Sequence, residues 1–167
     1  MQTRAFAWWR YPGGMSNLLA QSWCTLSALH NRIDAHVERA LQTAHELSVR
    51  EFSAMLLLSG QHSGEGGHLR MNQLADALGL SQSATTRLVA RLEDRGLLTR
   101  YLCATDRRGI YTDVTASGRE LLERARPTND KALQEALDEA ERHPELAPLV
   151  AAVRALDSTW PQLPTPA

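Results

Sequence analysis

The chain has 167 residues, 43% hydrophobic and 22% charged, with a formal net charge of −1, an ordinary soluble composition with room for one domain or two closely joined lobes. Its two cysteines, Cys24 and Cys103, lack CxxC spacing, which excludes a disulfide framework and points to a cytosolic compartment. The apolar run Met55–Leu58 falls far short of the ~20 residues that a membrane span needs, so no membrane partner is expected.

Residues 1–15 lack the long apolar region of a signal peptide and read as a flexible extension. Met15 is the alternative initiator, and Trp8 and Trp9 could dock on a partner chain. Ser16 can cap a long helix reaching about Ala44. In it Leu19, Trp23, Leu26, His30, Ile33, Val37, Ala40 and Ala44 recur at alternating spacings of four and three, a seam some 40 Å long at ~1.5 Å per residue. Such a helix is too long for a small lobe and needs a partner. Leu47-Ser48-Val49-Arg50-Glu51-Phe52 carries a capping box, Ser48 with Glu51, inside a hydrophobic staple, Leu47 with Phe52. A second helix therefore starts at Val49 and runs through Met55 and Leu58. Gly60 to Gly67, with four glycines, reads as a flexible link.

The segment from Met71 to Val114 organises the rest. Leu74, Ala75 and Leu78 recur at helical spacing, and Gly79 stands where a helix end takes a left-handed residue. Ser81 can cap the next helix, in which Ala84, Leu88 and Leu92, flanked by Thr85 and Val89, form the core face. The opposite face carries Gln82, Ser83, Thr86, Arg87 and Ala90, with Arg91 on its flank. Gly96 ends this helix. Leu98 to Leu102 and Ile110 to Val114 read as two strands of a hairpin, joined by the basic turn Asp106-Arg107-Arg108-Gly109. Solvated helices also carry Arg, Gln and Ser, so the helix face alone decides little. The hairpin tip decides more, because two adjacent arginines suit phosphate or a minor groove better than a core. From Arg70 to Gly109 seven arginines face four acids, a balance of +3 that leaves −4 for the remainder. An anionic partner therefore belongs at the middle of the chain.

After the hairpin, Thr115 can cap a helix containing Leu121, Leu122, Ala125, Ala132, Leu133, Ala136 and Leu137. Pro127 falls inside it, but the apolar spacing resumes in phase, so one kinked helix to about Glu141 is expected. His143-Pro144 breaks it. A last helix, about Pro144 to Leu156, carries Leu146, Leu149, Val150, Val153 and Leu156, and Trp160 with three prolines makes a tail.

Asn72-Gln73-Leu74-Ala75, Ser81 through Arg91, Leu92-Glu93-Asp94-Arg95-Gly96-Leu97 and Asp106-Arg107-Arg108-Gly109 before Val114-Thr115 together resemble the DNA-binding lobe of the MarR (multiple antibiotic resistance regulator) family. The Asp-Arg-Arg-Gly wing is the most specific part, and the likeness extends more weakly over residues 16–157. The resemblance implies a mainly α fold, α+β by its wing. A winged helix-turn-helix domain at 48–115 would join a helical dimerisation region at 16–47 and 116–157, with 158–167 as a tail. It implies a homodimeric, ligand-responsive transcriptional repressor on a pseudo-palindromic operator, with double-stranded DNA and a second copy as partners and no cofactor. Base reading would fall to Gln82, Ser83, Thr86 and Arg87, phosphate anchoring to Arg91 and Arg95, and wing contacts to Arg107 and Arg108. Arg70 and Arg100 border strands and could pair with acids instead. Family members commonly bind small, often aromatic or phenolic, carboxylates between the dimer helices and the DNA lobes. Trp23, His30, Arg50 and Met55 would line such an effector pocket here.

Enzyme signatures are missing: there is no GxSxG, HExxH or Walker loop, and Gly64-Glu65-Gly66-Gly67 lacks dinucleotide spacing. No two of the six histidines have the i, i+4 spacing of a helical chelate, so no metal site is expected. His30 reads as a hydrogen-bonded core or interface residue, and His62 and His68 flank the glycine-rich link. Cys24 reads as a thiol buried in the seam and inert. The alternatives are an oxidant or metal sensor working through Cys24 or the histidines, and a ligand-binding protein with vestigial DNA contact.

Overall fold

The computed structural model describes residues 16–60, 69–102 and 110–156. Eight elements follow in order: α1 (Ser16–His45), α2 (Val49–Ser59), α3 (Met71–Leu78), α4 (Gln82–Asp94), β1 (Leu98–Leu102), β2 (Ile110–Val114), α5 (Ala116–Glu141) and α6 (Ala147–Arg154). The fold is mainly α with one small two-stranded sheet, a winged helix-turn-helix set against long helices. No helix among the described residues is long and apolar enough to cross a membrane.

α1 ends at a residue in the left-handed region, Glu46 with φ 54°, and the Leu47 N–H closes back on the Leu41 carbonyl at 3.5 Å. That closure turns the chain sharply into α2. Ser48 accepts from the Glu51 N–H at 3.1 Å while Glu51 Oε2 accepts from the Ser48 N–H at 2.9 Å, completing the expected box. Both staple residues, Leu47 and Phe52, are buried in one core.

α1 lies along α5, with His36 Nε2 3.3 Å from Glu135 Oε2 and His45 Nε2 2.8 Å from Thr128 Oγ1. α5 runs without a break through Pro127. One apolar cluster joins Val37 and Leu41 of α1 and Leu122, Ala125 and Ala132 of α5 to the α2–α4 residues and the hairpin. A second one packs Leu29 against Leu137, Ala140, Leu146 and Val150, and Ile33 touches both. The first cluster therefore crosses residues 47/48 and 115/116, so the long helices and the winged helix-turn-helix share a core.

Two expectations need correcting. Along α1 only the middle of the seam is covered: Ile33, Val37 and Ala40 pack inward, with Leu29 and Leu41 as the deepest residues, while Ala44 at its C-terminal end is exposed. Leu19, Trp23, Leu26 and His30 are exposed, because α5 and α6 receive the neighbouring face through Leu29. The last helix also starts late, at Ala147. The Leu146 and Ala147 N–H groups both close on the His143 carbonyl, so Pro144 to Leu146 form a turn.

The junction between hairpin and α5 is tight. Thr115 Oγ1 accepts from the Gly118 N–H at 3.1 Å and donates to the Gly96 carbonyl at 2.7 Å. A Cβ at Gly118 would run into the Leu97 carbonyl and come within 2.7 Å of Val114 Cγ1. Gly118→Ala is expected to destabilise the fold by about 1–3 kcal/mol, the usual cost of overpacking against backbone. Denaturant titration measures it, and an unshifted midpoint would mean that α5 does not approach Leu97 and Val114 this closely.

Candidate nucleic-acid interface

The turn between α3 and α4 is set by Gly79, at φ 62° and ψ 34°, whose left-handed conformation few other residues tolerate. The Leu80 N–H reaches the Ala75 carbonyl at 2.9 Å, ending α3. Ser81 then caps α4, its Oγ accepting from the Ala84 N–H at 3.3 Å. Thr85, Leu88, Val89 and Leu92 bury one face of α4 and fix its rotation about its axis. Gln82, Ser83, Thr86 and Arg87 consequently stand exposed on the other.

Those four do not present equal chemistry. Thr86 Oγ1 donates to the Gln82 carbonyl at 2.9 Å, so its hydroxyl hydrogen is spent within the helix and an oxygen lone pair and a methyl remain for a partner. Ser83 Oγ shares a hydrogen with Ser81 Oγ at 3.2 Å. Arg87 is exposed and has no ion-pair partner among the described residues, which leaves its guanidinium donors for a partner.

Arg91 and Arg95 are placed differently. Arg91 Nε stands 3.6 Å from Glu51 Oε1, and Arg95 Nη1 stands 3.7 Å from Glu51 Oε2. Glu51 is 8% exposed. The pair expected to anchor phosphate therefore already shares a buried carboxylate, and Glu51 is the one residue of this face that the sequence reading left out. A signal existed: an acid at the capping-box position, and two arginines four apart on one edge of α4. Arg100 pairs as anticipated, its Nε 2.7 Å from Glu93 Oε2, a charge contact whose alignment falls short of a hydrogen bond.

The hairpin is in register, Leu98 opposite Val114 and Tyr101 opposite Tyr111, with the two tyrosine rings 6.1 Å apart. Leu98, Thr112 and Val114 are buried, so the core face sets the direction in which the hairpin leaves the lobe. Arg70 adds an isolated antiparallel bridge to Tyr111. The wing tip, with Arg107 and Arg108, lies outside the described residues, as do Cys103, His62 and His68.

The four residues expected to hold an effector are not equally accessible. Trp23, His30 and Arg50 are exposed, but Arg50 Nη1 donates to the Leu78 carbonyl at 3.1 Å. Met55, at 0% exposure, is enclosed in the core and offers a ligand no surface in this arrangement. Cys24 is exposed, against the expectation of a buried thiol.

The MarR family matches residues 61–109 of this chain. A MarR-family transcriptional regulator from Rhodococcus sp. RHA1 is 27% identical, with 86% of this chain and 93% of that chain covered and a TM-score of 0.62. CouR from Rhodococcus jostii RHA1, solved with p-coumaroyl-CoA bound, is 29% identical, with 77% and 83% covered and a TM-score of 0.59. Sco3205, a MarR-family transcriptional regulator from Streptomyces coelicolor solved in complex with DNA, has a TM-score of 0.66 with 87% and 88% covered. At 23% identity that last likeness speaks for the fold alone.

Proposed function

We propose that this chain, a winged helix-turn-helix protein of the MarR family, is a transcriptional regulator that binds a pseudo-palindromic operator as a homodimer and represses until an effector releases it. One observation carries the reading: the outward face of α4 is polar and exposed, and the side chains of Gln82 and Arg87 are unengaged among the described residues, while its opposite face is locked into the core. A helix held in this way can enter a major groove, where Arg pairs bidentately with guanine and Gln with adenine. Arg107 and Arg108 of the wing would then follow the backbone or the adjacent minor groove.

Two copies are needed because α1 and the end of the described chain leave apolar side chains open, with Leu19, Trp23 and Leu26 on α1, Val153 on α6 and Leu156 just after it. A two-fold pair presents two recognition helices, so half-site centres should lie about 10 bp apart. The effector we infer is a small aromatic carboxylate. CouR, which is similar to this chain, was solved with p-coumaroyl-CoA, the thioester of a phenolic acid, and Trp23, His30 and Arg50 offer an aromatic surface, an imidazole and a guanidinium. Met55 would join them only after the lobes move, so the ligand must favour a different lobe spacing from the one that DNA selects.

Selection of bound sites from a random duplex library tests the reading directly. The expected product is a symmetric motif whose half-sites are one helical turn apart, released when a phenolic acid is titrated in. Recovery of no enriched sequence would overturn specific DNA binding. Enrichment that no phenolic acid disturbs would discard this effector class and leave the regulator.

A further inference from the structure

Three consecutive residues in the first turn of α2 each reach a different helix. The Val49 N–H donates to Glu38 Oε2 of α1 at 2.6 Å. Arg50 Nη1 donates to the Leu78 carbonyl at the end of α3 at 3.1 Å. Glu51 faces Arg91 within α4 and Arg95 at its C-cap. The orientation of the helix-turn-helix against α1 is thus gathered at one turn, and of its three links only the one through Glu51 touches side chains that face DNA.

Glu51 has two tasks, and they make different demands. Its Oε2 accepts from the Ser48 N–H at 2.9 Å and the Ser48 hydroxyl at 3.0 Å, and a capping box of this kind works equally well with Gln. The cap therefore explains an oxygen at this position, and the helix dipole adds only a modest preference for a charge there. A buried carboxylate is costly unless opposite charge matches it, and what matches it is Arg91 and Arg95. At 3.6 and 3.7 Å these contacts exceed hydrogen-bond length, so they couple charge without a directed bond. The side chains of Arg91 and Arg95 remain 59% and 34% exposed, which leaves their outer edges open to a phosphate.

The geometry points to Glu51 as a positioning residue for DNA binding, one that offsets about one of the two positive charges of Arg91 and Arg95 and holds both along the α2 edge. This role rests on the DNA-binding reading above. The anchor meets phosphate as a half-neutralised pair, which restrains sequence-independent binding. The base-facing side chains Gln82, Thr86 and Arg87 lie on the first half of α4 and are untouched, so Glu51 lowers the phosphate contribution to every sequence alike and leaves base preference unchanged.

The test is Glu51→Gln, which keeps the capping oxygen and the volume and removes the charge. Binding of the full chain to a random-sequence duplex is titrated across salt, beside the best duplex from the library selection. The slope of log affinity against log salt should steepen by up to about 0.9 per lobe, an extra fall of about 3.5-fold per lobe between about 50 and 200 mM salt. Random-duplex and operator affinity at low salt should rise together, with the base preferences of the operator unchanged. Adding Arg95→Gln to Glu51→Gln should bring the slope back towards wild type. A single variant with the wild-type slope, whether or not its melting temperature falls, overturns the role of Glu51 alone, as does a double variant that keeps the steeper slope. A wild-type chain that binds no duplex at any salt overturns the DNA-binding reading and this role with it.

Discussion

Replacing Leu19 and Leu26 together by Asp is expected to abolish self-association while the chain keeps its own core. The two side chains are 78% and 44% exposed, on a face of α1 that also carries Trp23 at 66%. Ile33 is a poorer choice for this purpose, because it packs into both clusters of the chain and its loss would damage the fold itself. Burying a leucine contributes about 1.5–3 kcal/mol. In a two-fold interface each change counts twice, and scaled by the exposure still available to bury, the lost leucines remove about 4–7 kcal/mol before the cost of the new carboxylates. The dissociation constant should rise by about three orders of magnitude or more. Sedimentation velocity measures the mass, and far-ultraviolet circular dichroism checks that the helices remain. A variant that still sediments as a tight dimer would mean that the exposed face of α1 is not where copies meet.

The elements that could be read from sequence are those fixed by rules acting over a few residues. Ser48 with Glu51, Ser81 before α4, Thr115 before α5 and the left-handed Gly79 each satisfy backbone groups of their own turn, and all stand as expected. The strand bounds followed in the same way, since the alternation around Leu98 and Val114 leaves one choice of buried face. What stayed hidden depends on which distant element arrives. The α1 seam has two apolar edges, and only the packing of α5 and α6 decides that Leu29 is enclosed and His30 exposed. Met55 reads equally well as pocket or core until α2 is surrounded. Arg91 and Arg95 read as free cations because Glu51, remote in sequence, already had an evident local task at the cap. A residue with one visible role conceals its second.

Loss of Arg87 is expected to erase base preference at one symmetric position of the operator while leaving binding to random duplex nearly unchanged. Arg87 projects from the second turn of α4, exposed and without an ion-pair partner among the described residues, so its guanidinium is available to pair with guanine O6 and N7. Losing such a contact costs about 1–3 kcal/mol, or about 2–6 kcal/mol over the two half-sites of a dimer. Arg108 of the wing serves as the contrast. The contact proposed for it is with phosphate or the minor groove, so Arg108→Ala is expected to weaken operator and random duplex together and flatten the salt slope by about 0.9 per half-site. A narrow A·T-rich minor groove beneath the wing would add a preference of its own, because an arginine inserted there reads groove width. Titrations of both variants against operator, its single-base substitutions and random duplex at two salt concentrations separate these signatures. If Arg87→Ala retained every base preference, α4 would have to meet DNA by another face. The burial of Thr85, Leu88, Val89 and Leu92 leaves α4 little freedom to turn, so the recognition surface would then lie elsewhere on the lobe.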